Sequence, residues 1–236
     1  PAHRAQGGRV CQLDDASQQP LGCRGGMIRA QGLQRIVDAA ELAFAGADMS
    51  GPAKVALSKV FERLQTVMPA APPSGEDLPV LSVLPQAVAN LLPRQDSLST
   101  LGQAVQDFAP SLAWTTRKTV GPSASVGFAT AHANAVLIGP NGFEPRQDVW
   151  VGLSLMAPQT RYPDHDHGPE EVYLVLSDGA FLQGDAEWLP RRAGQTRRRR
   201  DRRSVGEGGA GALKRASEGT RGHGDTWTRG VTRTED

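Results

Sequence analysis

The sequence predicts an α+β chain, a helical N-terminal segment followed by a small β-barrel, and three observations carry that prediction. Apolar residues recur at helical spacing between residues 30 and 109, the period shortens to two from Trp114 onward, and clusters of Gly, Pro and Asn separate the later segments. With 236 residues, 39% of them hydrophobic, and a net charge of +1, the chain has the size of one globular domain or one domain with an appendage.

The first helix is expected over residues 30–45, where Leu33, Ile36, Val37, Ala40 and Phe44 fall on one side and Gly46 marks the stop. Ser50 as cap and Pro52 in the first turn announce a second helix. Its buried side is read as Val55, Leu57, Val60, Phe61, Leu64 and Val67, with an end before Pro69. Residues 70–79 are a Pro-rich linker. A third helical region spans about 80–109, interrupted by Pro85 and Pro93.

Candidate strands follow at 112–118, 125–131, 134–138, 148–156, 161–166 and 171–176, with turn chemistry such as Gly139-Pro-Asn-Gly142 between them. In the last strand Glu171, Tyr173 and Val175 share one face and Val172, Leu174 and Leu176 the other. One face can then line the interior of a barrel while the other packs against the N-terminal helices.

Both ends differ from this pattern. Residues 1–26 show no apolar periodicity and precede Met27, so they are expected to be unstructured, a leader outside a native start at Met27. Residues 191–236 hold 13 of the 26 Lys and Arg but only 6 of the 25 Asp and Glu, and their large apolar residues are Val205, Leu213, Trp227 and Val231. So few cannot offset the entropy of ordering the segment, and an unpacked tail is expected. Its Arg, Gly and Ala content is also what out-of-frame reading of a GC-rich gene would yield, and sequencing the gene decides that point.

Several function classes are excluded by composition. No apolar run approaches the roughly 18 residues that cross a bilayer, so no membrane partner is expected. The opening Pro-Ala-His-Arg-Ala-Gln-Gly-Gly has no apolar core of a signal peptide, which points to a cytoplasmic enzyme. Cys11 and Cys23 are too few for a metal knuckle or a disulfide framework. The run 197–203 packs six arginines into seven residues but lacks interleaved aromatics, so nucleic acid is not an expected partner. Nothing in the sequence assigns an oligomeric state.

The chemistry is concentrated in Tyr162-Pro-Asp-His-Asp-His-Gly-Pro-Glu-Glu-Val-Tyr173. His165 and His167 are two apart, as are Glu171 and Tyr173, so each pair projects from one face of extended backbone. Gly168-Pro169-Glu170 supplies the turn that folds one pair onto the other. Imidazole nitrogen with carboxylate oxygen is a ligand set for one divalent transition metal, with zinc, iron, manganese and nickel all compatible.

This His-x-His-x3-Glu segment, bounded by glycine, resembles the first motif of the cupin superfamily, which folds as a double-stranded β-helix or jelly-roll barrel. The longer string from Tyr162 to Gly179, with Phe181 and Gln183-Gly-Asp185, is similar to the cupin-type dimethylsulfoniopropionate lyases of the DddQ kind. The resemblance covers about residues 30–190. It implies a metal held by His167 and Glu171, with His165 as a further ligand or as a partner of the ligands, and Tyr173 and Tyr162 as the catalytic pair, Tyr173 as the base of a β-elimination and Tyr162 in the substrate pocket beside the metal. Trp150, Tyr162 and Trp188 are the candidates to hold the sulfonium end of such a small-molecule substrate, because aromatic faces attract cations. For Trp150 and Trp188 the competing reading is ordinary core, and His132 reads as a strand histidine.

The family's second motif, with its later histidine, has no counterpart here. No proline follows Pro190, and the one later histidine, His223, stands among turn-like neighbours. The barrel's C-terminal part is therefore expected to be missing or replaced. The other readings are a different metal-dependent cupin enzyme, an isomerase or dioxygenase acting on a small organic acid, or an inactive cupin fragment.

Overall fold

The computed structural model describes residues 27–118, 121–164, 171–182, 188–199 and 227–234. The expected leader, His165, His167 and residues 200–226 of the tail lie outside them. The described chain is a layer of helices packed on one side of a seven-stranded sheet, with a small two-stranded sheet beside it.

Helix α1 spans Gln31–Ala45 and buries Leu33, Ile36, Val37 and Phe44, the stripe its spacing predicts. Helix α2 spans Gly51–Arg63 and buries Ala53, Leu57 and Val60. Val55 is a correction, since it is 59% exposed. Ser50 occupies the cap position of α2, yet its side chain makes no capping hydrogen bond. The linker that follows is held by its backbone, Ala71 N donating to Phe143 O at 2.9 Å and Glu76 N to Trp114 O at 2.8 Å.

In the third helical region the prolines start helices rather than interrupt them. Pro85 stands in the first turn of α3, Leu84–Ala89, and Pro93 in the first turn of the short 3-10 helix Leu92–Arg94. A first-turn proline lacks only a donor that has no helical partner anyway. Helix α4, Ser97–Phe108, is capped by Asp96, whose Oδ1 accepts from Leu98 N at 3.0 Å and Ser99 N at 3.2 Å. It packs on α1 where Gly32 leaves room for Phe108. A Cβ there would stand 2.3 Å from the ring.

The strands are β1 (Trp114–Thr115), β2 (His132–Gly139), β3 (Glu144–Pro145), β4 (Val149–Met156), β5 (Glu171–Val175), β6 (Gly179–Phe181), β7 (Leu189–Arg191), β8 (Thr196–Arg199) and β9 (Trp227–Thr234). The large sheet runs β1-β2-β4-β9-β5-β8, antiparallel throughout, and β3 joins β2 in parallel. Among the described residues it does not close into a barrel. Among the described residues two expected strands do not form. Residues 125–131 form successive turns around Gly127 (φ 76°), and 161–164 are irregular. The predicted turn at Gly139–Gly142 is present, with Gly142 N donating to Gly139 O at 3.0 Å and Asn141 left-handed at φ 56°.

The tail is corrected in two places, because Thr196–Arg199 and Trp227–Thr234 are strands of the sheet. Strand β9 lies between β4 and β5, and its Thr, Val and Trp residues suit extended backbone. A strand paired on both sides satisfies its backbone polar groups without a large apolar contribution of its own.

The expected division of faces holds. Ala133, Ala135, Val151, Leu153, Leu155, Val172, Leu174 and Leu176 join the apolar core formed with the helices. A buried ion pair ties the two layers at the edge. Arg29 Nε donates to Glu144 Oε2 at 2.7 Å, and both side chains are almost fully enclosed.

Candidate active site

Strand β5 builds the centre of the site. Its alternation sends Val172 and Leu174 to the helices and leaves Glu171 and Tyr173 on the opposite face, both buried. The Tyr173 hydroxyl donates to Glu171 Oε2. A carboxylate taken out of water needs donors, and the phenol supplies one.

Sheet register extends this face sideways, because residues directly opposite one another on paired strands share a face. Glu171 is opposite Arg233 of β9, which is opposite Trp150 of β4; Tyr173 is likewise aligned, through Val231, with Gly152. Trp150 therefore stands on the Glu171 face, two strands and roughly 10 Å of backbone away. Glycine makes room for its indole. A Cβ at Gly152 would meet Trp150 Cη2 at 2.8 Å, and one at Gly139 would meet Cδ1 at 2.7 Å, so the ring lies along the sheet toward the level of Tyr173. On the other flank Arg197 of β8 is opposite Tyr173.

A second cluster occupies the same face further along β2 and β4. His132, fully buried, stacks on Phe128 with centroids 4.5 Å apart and planes 14° from parallel. The Tyr162 ring stands edge-on to both, at 5.3 Å from Phe128 and 5.1 Å from His132, and the Arg117 guanidinium lies 5.7 Å from its centroid. His132 Nε2 is 3.0 Å from Asn134 Oδ1. Opposite Asn134 on β4 is Ser154, whose hydroxyl is buried without a hydrogen-bond partner among the described residues. His132 is the strand histidine the sequence suggests, at the start of β2, whereas Ser154 escaped notice because one buried polar residue in a strand has no signature until its neighbours across the sheet are known.

The predicted site residues thus divide into groups. Glu171 and Tyr173 are bonded together, Trp150 shares their face, and Tyr162 anchors the aromatic cluster with His132. Trp188 is 44% exposed with the Arg161 guanidinium 5.2 Å from its ring, so the core reading of this residue is wrong. His165 and His167 lie outside the described residues, and among those described no three His, Cys, Asp or Glu side chains are grouped to hold a metal. The donor chemistry nevertheless suits a divalent transition metal. A carboxylate offers about four lone-pair sites, so accepting from Tyr173 leaves Glu171 able to coordinate, and two imidazoles precede it in the same segment.

Among the described residues no helix is long and apolar enough to cross a membrane. The fold is similar to two solved structures. One is reported for the dimethylsulfoniopropionate (DMSP) lyases RdDddP and RnDddQII, with TM-score 0.53, 20% identity, and coverage of 86% of this chain and 92% of that one. The other is the DMSP lyase DddQ from Ruegeria pomeroyi DSS-3, with TM-score 0.57, 16% identity, and coverage of 87% and 92%. At these identities the likeness is one of fold. Among curated proteins none matches the chain. A family model, that of dimethylsulfoniopropionate lyase, matches residues 53–199, from α2 through β8, and the chain belongs to that family.

Proposed function

We propose that this chain is a metal-dependent lyase that cleaves DMSP to dimethyl sulfide and acrylate, with Tyr173 as the base, in a cupin-type site of a bacterial cytoplasmic enzyme. The observation that carries the reading is the buried hydrogen bond from Tyr173 to Glu171 on the sheet face turned away from the helices. Membership of the lyase family supplies the substrate class.

DMSP carries a carboxylate at one end, a sulfonium at the other, and an acidic C–H beside the carboxylate. In the elimination, a base takes that proton, its electron pair forms the new C=C bond, and the C–S bond breaks to release dimethyl sulfide. His165, His167 and Glu171 are the ligands the metal would use, and when bound it supplies a Lewis acid for the carboxylate and favours phenolate over phenol. Glu171 orients the Tyr173 oxygen by accepting its hydrogen bond. The phenol proton first leaves Tyr173 for solvent, and the phenolate oxygen so formed accepts the substrate proton, a role worth roughly 10²- to 10⁴-fold in rate for a well-placed acid–base group. Trp150, lying along the same face, and Tyr162 offer aromatic surface to the sulfonium, each worth about 0.5–2 kcal/mol. The exposed face of Trp188 is a weaker candidate, since Arg161 already lies over that ring.

Headspace detection of dimethyl sulfide tests the reading. Purified chain incubated with DMSP and added Zn, Fe, Mn or Ni is expected to release the gas, and a chelator is expected to suppress it. Turnover of other small acids without any dimethyl sulfide would favour the isomerase or dioxygenase reading. Absence of both turnover and bound metal would favour an inactive cupin fragment.

A further inference from the structure

We infer that the chain has a second ligand site, separate from Glu171 and Tyr173, which binds a small organic carboxylate with an apolar body. It is a cavity of 630 Å³ at the edge strand β8, walled by the start of α2 on one side and by the β6–β7 hairpin on the other. That volume lies in the range of small-molecule pockets.

The walls have two characters. Arg191 of β7 and Arg197 and Arg198 of β8 line the cavity, each half-buried, and Asp48 is the only acid among the described lining residues. Thr196 Oγ1 donates to Asp48 O at 2.7 Å, which ties the loop before α2 to β8 and closes that wall. Among the described lining residues three cations stand against one acid, and a concave surface with such an excess concentrates anions. The cation excess is joined by the first turn of α2, a helix of 13 residues that opens at the cavity through Ser50 without a side-chain cap.

One donor points to a missing acceptor. Arg191 Nε is buried and has no hydrogen-bond partner among the described residues. Burying such a group unpaired costs free energy that a carboxylate oxygen recovers. The remaining lining is apolar, with Phe181, Leu189, Met49 and Ala53, and Leu189 is 45% exposed. Phe181 also supports the Arg197 guanidinium, 5.5 Å from its ring centroid. Guanidinium with adjacent apolar wall matches a monocarboxylate bearing a hydrocarbon chain. The same arrangement gives the basic segment after Pro190 a use that needs no nucleic acid.

Isothermal titration of the full chain with hexanoate, hexanamide and inorganic phosphate tests the site. Hexanoate is expected to bind with one-to-one stoichiometry and hexanamide not to bind. Arg191→Gln and Arg198→Gln should each weaken hexanoate by about tenfold, the loss of one charge-assisted hydrogen bond. Leu189→Ala, a change at an exposed side chain, should weaken hexanoate and leave phosphate unaffected. Equal affinity for hexanamide would reduce the site to an apolar hole, and phosphate matching hexanoate would reduce it to surface charge; either result, or no heat with hexanoate up to millimolar concentration, overturns the inference. Hexanoate binding with no dimethyl sulfide from DMSP would sink the lyase reading and leave this site standing.

Discussion

Tyr173 and Glu171 are two residues apart on β5, and the phenol of one donates to the carboxylate of the other inside the protein. Tyr173→Phe keeps the ring and removes only the oxygen proposed to accept the substrate proton. Dimethyl sulfide release is expected to fall by roughly 10²-fold or more with bound metal unchanged. Equal turnover in the variant would remove Tyr173 as base. Glu171→Gln should lower both metal content and rate, which separates a ligand from a proton acceptor.

Arg29 and Glu144 are 115 residues apart in sequence and joined at 2.7 Å in the interior. Arg29→Met leaves Glu144 buried with Arg146, 3.9 Å away, as its cationic neighbour among the described residues. Breaking one partner of a buried pair typically costs about 3–5 kcal/mol, and the remaining arginine places this case near the low end. Urea unfolding measures it. A loss under about 1 kcal/mol would mean the pair is not buried as described.

Ser154 makes the opposite prediction. Its buried hydroxyl has no partner among the described residues, so Ser154→Ala is expected to remove an unpaired polar group from the sheet. The melting temperature is expected to stay level or rise, whereas most core substitutions lower stability by about 1 kcal/mol. A clear fall in melting temperature would show that the hydroxyl is bonded in solution.

Asp148 connects stability to pH. Its carboxylate takes two hydrogen bonds from Arg146, at 2.8 and 2.5 Å, and these, with the Arg146 and Arg63 charges, hold its pKa below the ordinary value against a smaller opposing effect of burial. A depressed folded-state pKa adds stability above the unfolded-state value near 4 and loses it as pH falls through the folded value. Thermal melts from pH 6 to pH 2 should therefore show a fall beginning around pH 4 that is shallower in Asp148→Asn. Parallel curves for the two proteins would contradict this contribution.

Much of the local structure is legible in the sequence. The stripe Leu33, Ile36, Val37, Phe44 is buried as its spacing predicts, because a helix turns a fixed angle per residue whatever it packs against. The same reasoning misplaced Val55, which lies on the period of α2 but at a position no neighbouring element covers. Residues 125–131 carry apolar side chains in extended-looking order and still form turns, since the left-handed Gly127 and the hydrogen bonds from Phe128 and Ala131 close the backbone locally.

By itself the sequence determined where helices form in the N-terminal half, that Glu171 and Tyr173 face one way while Val172 and Leu174 face the other, and that the chain resembles the lyase family to which it belongs. Only the tertiary structure decided that β9 separates β4 from β5, that Trp150 shares the Glu171 face, that Tyr162 leans on His132, and that three arginines surround one cavity. The periods of 3.6 and 2 are properties of the backbone alone and can be read from adjacent residues. The order and register of strands depend on which distant segments pair, and no local pattern encodes that choice.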